Sequence, residues 1–322
     1  MKRWLAIALL AVALSLSAEP LGIMVPAYFY PTPGGLWDSL SNVAVRVPLV
    51  AIPNPNNGPD TSQNPDYVAA VNAVRSAGGK VIGYVYTSYT ARPLAQVQAD
   101  IDRHLAFYAA DGFFIDEMTD DALTNHLDYY AAIFQYVKAK GAQFTVVGNP
   151  GTNTEEDYFT RPTADALVIF EDNTGYAGFT PSGWVTNHPA RQFVHLPYNV
   201  TNATTMSNYV SLAVARNAGW IYVTNDKGAN PWDTLPAYWE SEISLVQSIN
   251  QSAPSTRLAL TGMTNRIPSL QISGAPGMYE VQATSNFATW FQVGTVNLSV
   301  AETNFTDATA TNRRASFYRT RQ

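Results

Sequence analysis

The sequence predicts an α/β fold: a (β/α)8 TIM-type barrel followed by a small all-β, sandwich-like C-terminal module. Three observations carry that expectation. Gly112-Phe113-Phe114-Ile115-Asp116-Glu117-Met118 is a bulky apolar run that stops at two adjacent carboxylates, and Ala166-Leu167-Val168-Ile169-Phe170-Glu171-Asp172 repeats the pattern. Buried parallel strands are apolar along their length and meet polar chemistry only at their carboxyl ends. Strand-like and helix-like segments then alternate over about 230 residues, the size of one such barrel. After Asn250 the composition shifts to short β-rich runs separated by turn residues.

The elements follow in order. Residues 1–18 read as a secretory signal: Lys2 and Arg3, an apolar run over 4–14, then small residues up to a cleavage site near Ala18. That run is too short for a stable membrane anchor. The mature protein is therefore expected to be secreted or at the cell surface, with no membrane span. Residues 23–30 read as the first strand, ending in Tyr28 and Tyr30, and 46–54 as the second. Asn54-Pro55-Asn56-Asn57-Gly58-Pro59 is dense turn chemistry and predicts a fixed loop. Residues 66–77 have helical spacing (Val68, Val71, Val74) and stop at Gly78-Gly79.

The third strand covers 80–88 and carries Tyr86. Pro93 opens a helix running to Tyr108, and the Asp116-Glu117 strand follows. Residues 125–140 place Leu127, Tyr130, Ile133, Phe134 and Val137 on one helix face, stopped by Gly141. A strand at 144–149 ends at Asn149-Pro150-Gly151. A short helix near 155–159 leads to the Glu171 strand. The remaining strands are 192–198, with His195, and 220–226, ending at Asp226; helices cover 204–217 and 235–249. A doubly wound open sheet is the rival, weakened by the absence of Gly-x-Gly-x-x-Gly after a strand. The expected boundaries are a barrel over 19–250, a linker over 251–257 and a module over 258–322.

Composition narrows the chemistry. There is no cysteine, which excludes disulfides, thiolate nucleophiles, Cys-ligated zinc and a lipoprotein anchor. The formal charge is −6 with no long basic run, which argues against nucleic acid. Seven Trp and 18 Tyr suit both sugar stacking and a large core.

Asp116, Glu117 and Glu171 are the candidate catalytic groups. Cleaving a glycosidic bond takes one acid to protonate the leaving oxygen and a second group to attack the sugar or activate water. Neighbouring residues of a strand face opposite ways, so Asp116 and Glu117 share a site only if the strand has ended by Glu117. An adjacent Asp-Glu pair also suits N-acetylated sugars, whose own acetamido group can attack while Asp orients it and Glu protonates the leaving oxygen. Either Glu117 or Glu171 would be the acid, with Asp116 orienting or stabilising. Alternatively these acids pair with Arg92 or Arg103, cap helices, or join Asp120 and Asp121 around calcium; Asp120 and Asp121 fit better as caps of the next helix. No metal or cofactor is expected.

Tyr28, Tyr30, Tyr86, Asn149, His195 and Asp226 lie where barrel loops begin and are candidate substrate-binding groups. Asn149 would hydrogen-bond a sugar or fix its own turn; His195, without a second His at ligand spacing, suits a structural role better. Trp37, Trp184 and Trp232 fall in expected loops, and Trp184 and Trp232 are candidate stacking platforms.

These residues resemble the spherulation-specific family 4 (spherulin-4) proteins, grouped with glycoside hydrolase family 135. The resemblance rests on Gly22-Ile23-Met24-Val25-Pro26-Ala27-Tyr28, Ile52-Pro53-Asn54-Pro55-Asn56-Asn57-Gly58-Pro59, Val81-Ile82-Gly83-Tyr84-Val85-Tyr86-Thr87, Phe113-Phe114-Ile115-Asp116-Glu117 and Phe170-Glu171. It spans the expected barrel and leaves out the C-terminal module. It implies a (β/α)8 fold, hydrolysis of α-1,4-linked galactosamine or N-acetylgalactosamine polysaccharide, and Asp116, Glu117 and Glu171 as its acids. Asp60 and Thr90 stand where the family often has Gly. The alternative is a carbohydrate-binding or coat protein that keeps the barrel without turnover.

Overall fold

The computed structural model describes residues 16–17, 20–252, 255–265, 267–274, 277–286, 289–298, 302–312 and 317–321. Apart from Leu16–Ser17, the expected export signal lies outside them. Eight strands form a closed parallel barrel. They are β1 Gly22–Ala27, β2 Leu49–Pro53, β3 Lys80–Tyr86, β4 Gly112–Asp116, β5 Thr145–Gly148, β6 Ala166–Phe170, β7 Phe193–His195 and β8 Trp220–Ile221. Gly22 and Ile23 pair with Trp220 and Ile221 to close the ring. Every residue of β1, β2, β6 and β7 is buried, as strands covered on both faces require.

Helices α1 Leu36–Ala44, α2 Pro65–Ser76, α3 Leu94–Tyr108, α4 Thr124–Lys140, α5 Asp157–Thr160, α6 Ala203–Ala215 and α7 Trp239–Ser252 follow successive strands. Side-chain caps set two starts: Asn64 accepts from Asp66 N ahead of Pro65, and Asn202 accepts from Thr205 N. Three 3-10 turns, Tyr176–Gly178, Gly183–Asn187 and Ala190–Gln192, replace a helix between β6 and β7.

Two expected features differ. Trp37 is not in a loop: it begins the buried face of α1 with Leu40 and Val43, and its indole donates to Phe29 O at 3.0 Å. The i, i+3 spacing of these three residues was the signal for that helix. The last strand ends at Ile221, not Asp226. Beyond it Tyr222 N and Thr224 N still donate to His195 O and Pro197 O, each at 3.2 Å, while Val223 N donates not to β1 but to the buried Glu242 carboxylate of α7, at 2.8 Å.

The second compact unit comprises the described residues of 252–322 together with Leu16–Ser17. Its strands are β9 Ser255–Thr264, β10 Ile267–Ser273, β11 Gly277–Thr284, β12 Phe291–Leu298, β13 Glu302–Thr306 and β14 Phe317–Arg321. One antiparallel sheet orders Leu16–Ser17, β9, β10 and β13; the other orders β12, β11 and β14. Leu270 and Ile272 of the first sheet pack with Tyr279, Val281 and Leu298 of the second, which makes the module a sandwich. The expected linker is short, since α7 runs through Ser252 and β9 begins at Ser255. Among the described residues no helix is long and apolar enough to cross a membrane.

Candidate active site

The acids meet at the carboxyl end of the barrel, where (β/α)8 sites are built. Asp116 is the last residue of β4, and Glu117 adopts a left-handed conformation with φ +53°. The strand's alternation therefore stops at Asp116, which frees Glu117 to turn toward the same mouth. The loop after β3 clamps this turn. Thr87 N and Tyr89 N donate to Asp116 O and Glu117 O, at 3.0 and 2.8 Å. Thr87 Oγ1 lies 2.9 and 2.8 Å from the same two oxygens. Ser88 N donates to the Glu117 carboxylate at 3.1 Å. Ser88, Tyr89 and Thr90 all have positive φ (47°, 52° and 74°), a conformation that costs free energy in non-glycine residues and clusters at functional sites.

Asn149, the residue after β5, joins the two acidic strand ends. Its Nδ2 donates to Asp116 Oδ1 at 2.7 Å and to Glu171 Oε2 at 2.6 Å. Two contacts to one nitrogen keep those oxygens no farther apart than their sum, about 5.3 Å. The main chain sets Asn149 in place: its N donates to Ile115 O and its O accepts from Met118 N, at 2.8 and 3.0 Å. Glu171 is placed the same way, through Glu171 N to Gly151 O at 2.8 Å. The hydroxyl of Tyr84, on β3, donates to Asp116 Oδ2 at 2.7 Å.

The surroundings make the two carboxyls unequal. Dense packing around the carboxyl pushes Glu171 up to about 8, with the Asp116 charge adding to the effect and the Asn149 bond opposing it. Asp116 is also raised by desolvation and by Glu117, but Tyr84, Asn149 and the Glu117 N–H all favour its charged form. With three donors against one, Asp116 is the better carboxylate, and the proton the pair retains resides on Glu171. Tyr28 and Tyr84 stay neutral: burial, then Asp116, raises both phenols far above their ordinary value.

The structure gathers only part of the sequence-derived set. Asp116, Glu117, Glu171, Asn149 and Tyr28 belong to one constellation. Tyr30 turns away, its hydroxyl on Asp66 of α2 at 2.5 Å. Tyr86 lies under the Arg92 guanidinium, 4.1 Å from its ring centre. His195 is fully buried, 2.7 Å from the Tyr176 hydroxyl, and burial pushes it down to about 3. Trp184 packs on Phe159 and Phe193 and donates to Thr154 O. Trp232 is buried against Tyr198 and Tyr222. Asp226 accepts from Lys227 N in its own turn, at 2.8 Å. Asp121 accepts from Leu123 N ahead of α4 and pairs with His126. Among the described residues no cluster of three or more His, Asp or Glu is placed to hold a metal.

Sequence reasoning missed Tyr84, Thr87, Tyr89 and Tyr198. Tyr84 carried a usable signal, because it shares a strand face with Tyr86. Tyr198 N donates to Asp172 O at 3.1 Å, next to Glu171, and burial, then Asp172 and Glu171, raises its phenol.

Fold and site together define a (β/α)8-barrel protein with a bridged pair of carboxyl groups on two strand ends that flank a third strand. A family model for "Spherulation-specific family 4" matches residues 22–246, and the chain belongs to that family. Spherulin-4 of Physarum polycephalum is 34% identical over 248 residues, covering 73% of this chain and 72% of its own. The crystal structure of Aspergillus clavatus Sph3 in complex with GalNAc superposes with a TM-score of 0.62 at 24% identity, covering 72% of this chain and 99% of that one.

Proposed function

We propose that this protein is an exported glycoside hydrolase that cleaves α-1,4-linked galactosamine- or N-acetylgalactosamine-containing polysaccharide internally. The observation that carries the reading is the Asn149 amide joining Asp116 to a Glu171 that keeps its proton near neutral pH. The GalNAc bound to Sph3 supports an amino-sugar substrate, and the basic-then-apolar start of the sequence supports export.

Glu171 transfers its proton to the glycosidic oxygen as the bond to the anomeric carbon breaks. The Asp116 carboxylate attacks that carbon and forms a glycosyl ester. Glu171, now ionised, takes a proton from water, whose oxygen attacks the same carbon and releases Asp116. Retaining enzymes hold their carboxyls ~5–5.5 Å apart and inverting ones ~6.5–9.5 Å. The 5.3 Å limit on the bridged oxygens favours retention. Glu117 holds the Ser88 N–H and adds negative charge beside the developing cation.

The test is mass spectrometry of soluble products from partly deacetylated α-1,4-galactosamine polymer, with Asp116→Asn, Glu117→Gln and Glu171→Gln beside the wild type. NMR of the fresh products would assign the anomer. Short oligosaccharides of retained configuration from the wild type, lost in Asp116→Asn and Glu171→Gln, are expected. Bound polymer without products would refute hydrolysis and leave a sugar-binding barrel.

A further inference from the structure

Tyr89 is 62% exposed, while most of the aromatic rings around the barrel mouth are packed. Its hydroxyl makes no hydrogen bond among the described residues, unlike Tyr30, whose hydroxyl is held by Asp66. An exposed ring on a mobile loop would mean little. Tyr89 instead stands at the centre of three consecutive left-handed residues, and its own N–H is tied to Glu117 O. The fold spends backbone strain to fix this ring's base against the acidic turn. The residue sits beside the acidic turn: Tyr89 N donates to Glu117 O at 2.8 Å and the preceding Ser88 N to the Glu117 carboxylate at 3.1 Å; partial burial, then the charges of Glu117, Asp116 and Glu171, raise its phenol.

We propose that Tyr89 is a substrate-stacking platform on the β3 side of the mouth, taking the apolar face of a galacto-configured pyranose next to the cleaved bond. This deepens the glycosidase reading and rests on it. The chemistry follows from the sugar. An axial O4 leaves the hydrogens on C3, C4 and C5 on one face, and that patch packs on an aromatic ring better than the evenly hydroxylated face of a gluco sugar. A rigidly held ring also loses little freedom on binding, which is what makes a preorganised contact effective.

The experiment compares Tyr89→Asn, Tyr89→Phe and wild type. Asn tolerates positive φ, so it removes the ring without disturbing the clamp; an unchanged melting curve would verify this. Kinetics would be measured on α-1,4-linked N-acetylgalactosamine oligomers, and binding of the same oligomers by calorimetry in a Glu171→Gln background. A rise of about tenfold in KM and Kd for Tyr89→Asn, with kcat within about threefold, is expected for one lost stacking contact. Tyr89→Phe should restore both. Equal KM and Kd in Tyr89→Asn and wild type would overturn the platform even with hydrolysis intact. If wild type hydrolyses nothing, the glycosidase reading fails, and the binding arm still decides Tyr89: unchanged or absent oligomer binding overturns it.

Discussion

Removing the Asn149 amide should move both limbs of the activity–pH profile upward. On the proposed mechanism the lower limb would report ionisation of Asp116 and the upper limb loss of the Glu171 proton, expected near pH 8. Asn149 donates to the charged form of each, and deleting a donor to a charged form raises the pKa. A hydrogen bond to a charged group contributes ~1.5–3 kcal/mol, and one pH unit corresponds to ~1.36 kcal/mol. Water at the open mouth replaces part of the loss, so about one unit per limb is the expected movement. Asn149→Leu is the suitable substitution, because the main-chain bonds to Ile115 and Met118 stay and the buried Oδ1 has no partner to lose. The assay is kcat/KM against pH, which reports the free enzyme. An upper limb that stays near 8 or falls, in a variant with a normal melting curve, would refute the bridge as the element that sets the pair's ionisation.

Three further outcomes follow from named contacts. Glu242 is fully buried, and burial raises it to about 8, so folding favours its protonated form; its contribution is complete below about 4.5 and is lost as pH rises toward 8. Glu242→Gln keeps an acceptor for Val223 N, and denaturant titrations should find it more stable than wild type by roughly 2–4 kcal/mol at pH 8 but not at pH 4.5. Gly112→Ala would set a Cβ 2.1 Å from Thr145 O, a backbone atom in the neighbouring strand; a loss of about 3 kcal/mol or more in urea unfolding is expected. Trp232→Ala should lower stability by about 3–5 kcal/mol because the ring is core, not platform. A variant that melts like wild type but no longer binds oligosaccharide would return Trp232 to the substrate.

The acids were legible because a parallel strand writes its own end: Phe113, Phe114 and Ile115 have to be apolar, and Asp116 is the first position that does not. The module was legible for a related reason, since β10 alternates half-buried and buried positions along its whole length. Polar and aromatic residues in the loops above the barrel carry no such constraint. His195 reads the same whether it faces a sugar or the Tyr176 hydroxyl, and Tyr176 comes from a 3-10 turn with no periodicity to announce it. Trp232 and Trp184 likewise find their packing partners through loops whose course depends on contacts distant in sequence.

The Asp-Glu pair shows where local and distant information divide. From the sequence, the two acids face one site only if the strand ends between them. That ending is imposed from outside the strand: Thr87 and Tyr89, roughly thirty residues earlier, hold the Asp116 and Glu117 carbonyls and so stabilise Glu117 at positive φ. Asn149 adds the second external constraint, tying Asp116 to Glu171 across the intervening strand. Four consecutive strands thus each contribute a part that is inert alone. β3 supplies the clamp, β4 Asp116 and Glu117, β5 the bridge and β6 Glu171, and the unequal carboxyl pair arises only when barrel closure sets these strand ends side by side.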